Sequence, residues 1–250
     1  MNTTTGRTRK IVAGLALAGV LGLSACGVAN TADATNPSPA DQTTSATGPA
    51  QGRTGKAVPI SLNDIEGQAE DVIDMVAAND WPRIRHDLAD MQSNWTTYQP
   101  VAKADGVPAT IQTDMSAALT ALGKAVAAQD ATATAQAAND FSAGTVEAMS
   151  MYDVGHPVQI GRLDVIGRQI AIDAQAGDFN GASEQIKAAQ TQLDEVSASL
   201  TDHGGKDVLT QAQATLDQMR TYVTEQNADA TNTQANVFLE IVDGMEQLYA

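Results

Sequence analysis

The sequence predicts an all-α body of about eight helices in four αα-hairpins, and three observations predict it. Apolar residues recur at spacings of four, three and four, which stripes one face of a helix. That stripe returns at intervals of 50, 48 and 49 residues, so one unit of ~49 residues is repeated. No alternating run of useful strand length interrupts it.

The chain opens with Arg7, Arg9 and Lys10, an apolar run from Ile11 to Leu23, and then Leu23-Ser24-Ala25-Cys26. A basic start, a short apolar stretch and small residues before a cut are the features of a secretory signal. The run falls short of the about 20 apolar residues that a spanning helix needs. Leu23 to Cys26 resembles the lipobox of bacterial lipoproteins. That resemblance implies cleavage between Ala25 and Cys26, a diacylglyceryl group on the Cys26 thiol, a fatty acyl (palmitate-like) addition, and residence on the extracytoplasmic face of the cell membrane. Two or more acyl chains anchor stably where one does not. Loss of residues 1–25 removes three bases and no acid, leaving eleven bases against thirty acids and a net charge of −19. An anionic lipid surface repels such a chain, so the lipid alone must hold it there.

Residues 26–59 follow as a tether. They are rich in Thr, Ala, Pro, Ser and Gly, and hold no aromatic. Such a segment buries too little surface to offset its ordering entropy. As a flexible linker it would span about 30 Å. The body, residues 60–250, then begins abruptly.

Its first helices carry Ile65, Ala69, Val72, Val76; Met115, Leu119, Leu122, Val126; Leu163, Gly167, Ile170, Ala174; and Ala212, Leu216, Met219, Val223. Four residues after each stripe stands a capping residue, Asp80, Asp130, Asp178 or Asn227, able to accept bonds from the free N–H groups that open a helix. A second stripe follows each cap: Ile84, Leu88, Met91, Trp95; Thr134, Ala138, Phe141, Thr145; Ala182, Ile186, Ala189, Leu193; and Thr231, Ala235, Phe238, Val242. Breaks between units are expected at Pro100 to Pro108, Tyr152 to Pro157 and Asp202 to Gly205. Ala176-Gly177-Asp178-Phe179 and Ala182 resemble the turn of a tetratricopeptide repeat. The period exceeds the ~34 residues of that family, so no ligand groove is carried over. The hairpins can pair into two four-helix bundles or stack as a short solenoid.

Chemistry is sparse. One cysteine makes neither an internal disulfide framework nor a thiolate zinc site. A pI near 4.3 excludes the basic face that nucleic-acid binding needs. No HExxH, GxSxG or phosphate-binding glycine loop occurs, so no catalytic residue and no enzymatic activity are expected. Met149, Met151 and His156 gather between the second and third units as candidate metal ligands, thioether and imidazole suiting copper, carboxylate and imidazole suiting iron or zinc. Trp81, beside the first cap, is either packing for the hairpin end or an interaction residue. Asp164 and Arg168, four apart, read as a helix-surface pair worth a few tenths of a kcal/mol. The expected function is a lipid-anchored envelope lipoprotein whose helical-repeat body binds or presents to another envelope component. The alternative is a metal-binding or metal-delivery lipoprotein. No cofactor beyond the Cys26 lipid is expected.

Overall fold

A computed structural model describes residues 55–250; the leader, Cys26 and most of the tether lie outside the described residues. Among the described residues there are eight helices and no strand. They are α1 (Ile60–Ala77), α2 (Trp81–Ala104), α3 (Ala109–Ala128), α4 (Ala131–Met149), α5 (Val158–Gln175), α6 (Phe179–Asp202), α7 (Lys206–Thr224) and α8 (Ala228–Gln247). None is long and apolar enough to cross a membrane.

The turns inside the hairpins share one construction. Asp80, Asp130, Asp178 and Asn227 each cap the second helix, accepting from the backbone N–H of Arg83, Ala133, Gly181 and Ala230 at 2.9–3.2 Å. The residue before each cap is left-handed: Asn79, Gln129, Gly177 and Gln226, with φ between 53° and 77°. Each cap's own N–H reaches back to a carbonyl five residues earlier, as Asp80 does to Met75 at 3.1 Å and Asp178 to Asp173 at 2.8 Å. One helix therefore ends in a Schellman turn whose last residue opens the next. Between units, Pro59, Pro108 and Pro157 stand directly before α1, α3 and α5, 49 residues apart. Proline fixes φ near a helical value and lacks the N–H that would be unpaired there.

The stripes close into two four-helix bundles rather than a solenoid. α1 touches α2 and α4, and α3 completes the ring; α5, α6, α7 and α8 do the same. Each ring encloses its own core. Ile65, Ile84, Met115 and Phe141 sit in the first, and Leu163, Ile186, Leu216 and Phe238 in the second. The larger repeat is thus the bundle: α5 begins 98 residues after α1, and α6 98 after α2. Small stripe residues bring helices close. A Cβ at Gly167 would lie 2.8 Å from Leu239 Cδ2, so α5 and α8 meet there nearly backbone to side chain.

Two expected boundaries move. α2 continues through Pro100 to Ala104 instead of breaking there. Pro100 is on the exposed face, where solvent can take the carbonyl it leaves unbonded, while Tyr98 and Ala102 hold the helix to the core from the other side. The body also starts before Ile60. Asp153 donates its N–H to the Lys56 carbonyl at 2.8 Å, Lys56 pairs with Asp105, and Val58 packs on the first core. Tyr152 is fully buried below this strap, its hydroxyl 3.3 Å from that of Tyr98 and donating to Asp105 at 3.1 Å.

Candidate functional site

The bundles meet where α4 packs on α5 and Arg168 of α5 reaches Glu70 of α1; polar side chains cross this seam beside an apolar contact of Val146 on Gly161. Asn139 of α4 donates to the Val165 carbonyl and to Gln169 of α5, and Gln136 and Gln169 bond each other in both directions. Arg162 grips Glu147 through two nitrogens at 2.7 and 2.9 Å.

Arg168 lies at the centre of the seam. Only 6% of its side chain is exposed, and all three guanidinium nitrogens are engaged. Nη1 bonds Glu70 at 2.7 Å and Asp164 at 2.6 Å, Nη2 donates to Ser142 at 2.9 Å, and Nε to Asn139 at 3.3 Å. The expected exposed pair of Asp164 and Arg168 is therefore corrected: the first bundle covers it, and a buried ion pair obeys different energetics from a surface one.

Glu66 stands beside Glu70 on α1, and carboxylate oxygens of Glu66, Glu70 and Asp164 all lie within 4.8 Å of one another. These positions are related by the repeat. Glu66 and Glu70 of α1 correspond, 98 residues on, to Asp164 and Arg168 of α5, so the two first helices present the same face to each other. Burial pushes the Glu66 and Asp164 carboxyls well above the usual range, and the nearby Glu70 charge adds to that. Burial would raise Glu70 as well, but the Arg168 charge and hydrogen bonds from Asp164, Glu66 and Arg168 outweigh it and bring Glu70 down to about 2. Glu70 is thus the anion that faces Arg168, while burial and the Glu70 charge favour the protonated forms of Glu66 and Asp164.

A cavity of about 430 Å³ opens onto this cluster. Glu66, Glu70 and Asp164 line it together with Met149, His156, Asp153, Asp243 and Glu246. Burial raises Glu246, and the His156 beside it partly offsets the rise. The loop from Ser150 to Pro157 and the strap at Ala57 and Val58 form the remaining wall.

No protein family, curated protein or solved structure matches the chain. The arrangement has to be read from its own chemistry.

Two of the three expected metal candidates reach the cavity, Met149 and His156. Met151 does not. It is 8% exposed and belongs to the first core, because the turn after α4 directs it inward beside Tyr152. Trp81 packs against the first core, and Phe179, its counterpart 98 residues on, against the second, so each closes its hairpin end. The carboxylates escaped sequence reading because acids at helical spacing look alike whether water or a second bundle faces them. The 98-residue offset between the pairs Glu66/Glu70 and Asp164/Arg168 was the available signal.

Proposed function

We propose that this chain is a lipid-anchored binding protein of the bacterial envelope whose inter-bundle cavity takes a divalent metal cation in exchange for protons. The metal-binding alternative is favoured over simple docking by one observation: three carboxylates from two bundles converge within 4.8 Å on a cavity that His156 and Met149 also line.

Charge balance supports the exchange. With Glu66 and Asp164 protonated, Glu70 and Arg168 cancel and the cluster is neutral. A divalent cation that displaces both protons faces three carboxylates and one guanidinium, and the sum is again zero. Neither state strands a net charge in a poorly solvated site, which would cost several kcal/mol. Carboxylates with one imidazole suit iron, manganese or zinc, and Met149 offers a softer contact at the rim. The cavity exceeds a bare ion, which leaves room for the ion to keep some of its water.

The lipobox-like Leu23-Ser24-Ala25-Cys26 supplies the anchor in this reading, and residues 27–54 the spacer. Mass spectrometry of the mature N-terminus should find an acylated Cys26, and Cys26→Ala should no longer float with membranes. An unmodified thiol there would remove the anchor from the reading.

The metal is tested by titrating the full chain with manganese(II) or zinc(II) by calorimetry in buffers of different ionisation enthalpy. Protons should leave as the ion binds at the cavity, because its carboxylate ligands must be deprotonated. Glu66→Gln with Asp164→Asn should abolish both that binding and the proton release. Full retention of binding by this double variant would overturn the cavity as the site.

A further inference from the structure

We propose a second metal site, on the outer flank of the first bundle, in which His86, Asp87 and Asp90 of α2 bind a divalent transition-metal ion of the zinc class. It is separate from the inter-bundle cavity, none of whose lining residues it shares.

The ligand atoms are already grouped. His86 Nε2 lies 3.5 Å from Asp90 Oδ2, and a carboxylate oxygen of Asp87 lies within 4.8 Å of both. Two donors bound at about 2.1 Å in a tetrahedral site stand about 3.4 Å apart. The His86–Asp90 pair is therefore at chelating separation without a rotamer change. The spacing of four residues on one helix puts both on one face, and Asp87 extends that face toward α1.

Asp87 is the observation that an exposed ion pair does not explain. It is 9% exposed, and its Oδ2 is buried with no hydrogen-bond partner. Such an atom costs about 1–3 kcal/mol unless something satisfies it. Asp71 of α1 adds its negative charge to the same spot, while Arg83 and His86 oppose it. A cation held between Asp87 and the His86–Asp90 pair would satisfy the carboxylate. The imidazole selects against calcium and magnesium, which take oxygen ligands, and toward zinc, cobalt or nickel. His86 is largely exposed, with 74% of its side chain open, so the ion has direct entry from solvent.

Cobalt(II) reports such a site through the strong visible absorption of its four-coordinate form. The experiment uses the full chain with the Cys26 thiol blocked by alkylation and with Glu66→Gln and Asp164→Asn in place to silence the inter-bundle cavity. One equivalent of cobalt should still bind, and zinc but not calcium should displace it. His86→Ala, at an exposed position where folding is undisturbed, should weaken binding by about tenfold or more, as loss of even a supporting residue does at metal sites. Asp87→Asn, which keeps size and shape, should do the same. No cobalt bound in this background, or binding unchanged by both His86→Ala and Asp87→Asn, overturns the second site. The two readings fail separately: binding lost on His86→Ala alone in the otherwise unaltered chain leaves this site standing and removes the cavity.

Discussion

At the scale of single residues, Arg168 decides how the two bundles register. Its partners Glu70, Asn139 and Ser142 belong to the first bundle, and Asp164 to its own. A well-packed apolar pair could be as stable, but it would not fix orientation through three directed bonds across the seam. Arg168→Met should cost about 3–5 kcal/mol at neutral pH, because half-buried Glu70 is left without its counter-charge and Asn139 and Ser142 lose their partner in the seam. Urea denaturation reads this directly, and an unchanged midpoint would mean that the seam is not built around the guanidinium. The same cluster sets a pH dependence. Glu66 and Asp164 have raised folded values, so stability present below the ordinary carboxylate range declines as pH climbs toward them. Glu70 has the opposite sign. Its contribution is full above the ordinary range and is lost as pH falls toward about 2. The metal-free protein should therefore lose stability as pH rises above the ordinary carboxylate range, and also as it falls toward about 2. Thermal melts across that range check the sign, and Glu66→Gln with Asp164→Asn should flatten the decline.

At the scale of elements, the hairpin turns carry two opposed contributions. The caps stabilise: Asp80→Ala, Asp130→Ala and Asp178→Ala should each cost roughly 0.5–2 kcal/mol. The left-handed residue before each cap strains the backbone unless it is glycine, as only Gly177 is. Gln129→Gly and Gln226→Gly should therefore stabilise by about 1 kcal/mol each, whereas Gly177→Ala should destabilise. Chemical denaturation of the six variants tests both halves of the argument, and a Gln129→Gly that lowers stability would contradict the turn geometry. These elements were legible from sequence because their determinants are local. A stripe of the Met115, Leu119, Leu122, Val126 kind and a cap four residues later lie on contiguous chain. Pro100 misled for a complementary reason: the break expected from a proline is overridden when Tyr98 and Ala102 anchor the helix on both sides of it. The seam was not legible, since Glu70 and Arg168 are 98 residues apart and each sits on a helix face that local composition marks as polar. His156 and Met149 were singled out by type, and the cavity that gathers them needs α1, α5 and α8 together.

At the scale of the whole molecule, two separately closed cores are joined by a polar seam, and the value of Arg168 depends on that joining. In a chain of residues 155–250 alone, the second core keeps all its members, while Glu70, Asn139 and Ser142 are gone. Water then faces Arg168, and the pair with Asp164 becomes an ordinary surface contact between residues four apart. Such a pair is worth a few tenths of a kcal/mol. Residues 55–154 and 155–250 should each fold into a helical bundle with a cooperative melt, because polar groups bared by separation are solvated rather than stranded. Arg168→Met should then cost less than about 0.5 kcal/mol in the isolated second half, against about 3–5 kcal/mol in the full chain. The difference between those two costs measures what the first bundle contributes to the residue. Halves without cooperative melts would show that the bundles depend on each other for their cores. An equal cost of Arg168→Met in half and whole would show that Asp164, and not the inter-bundle network, is its principal partner.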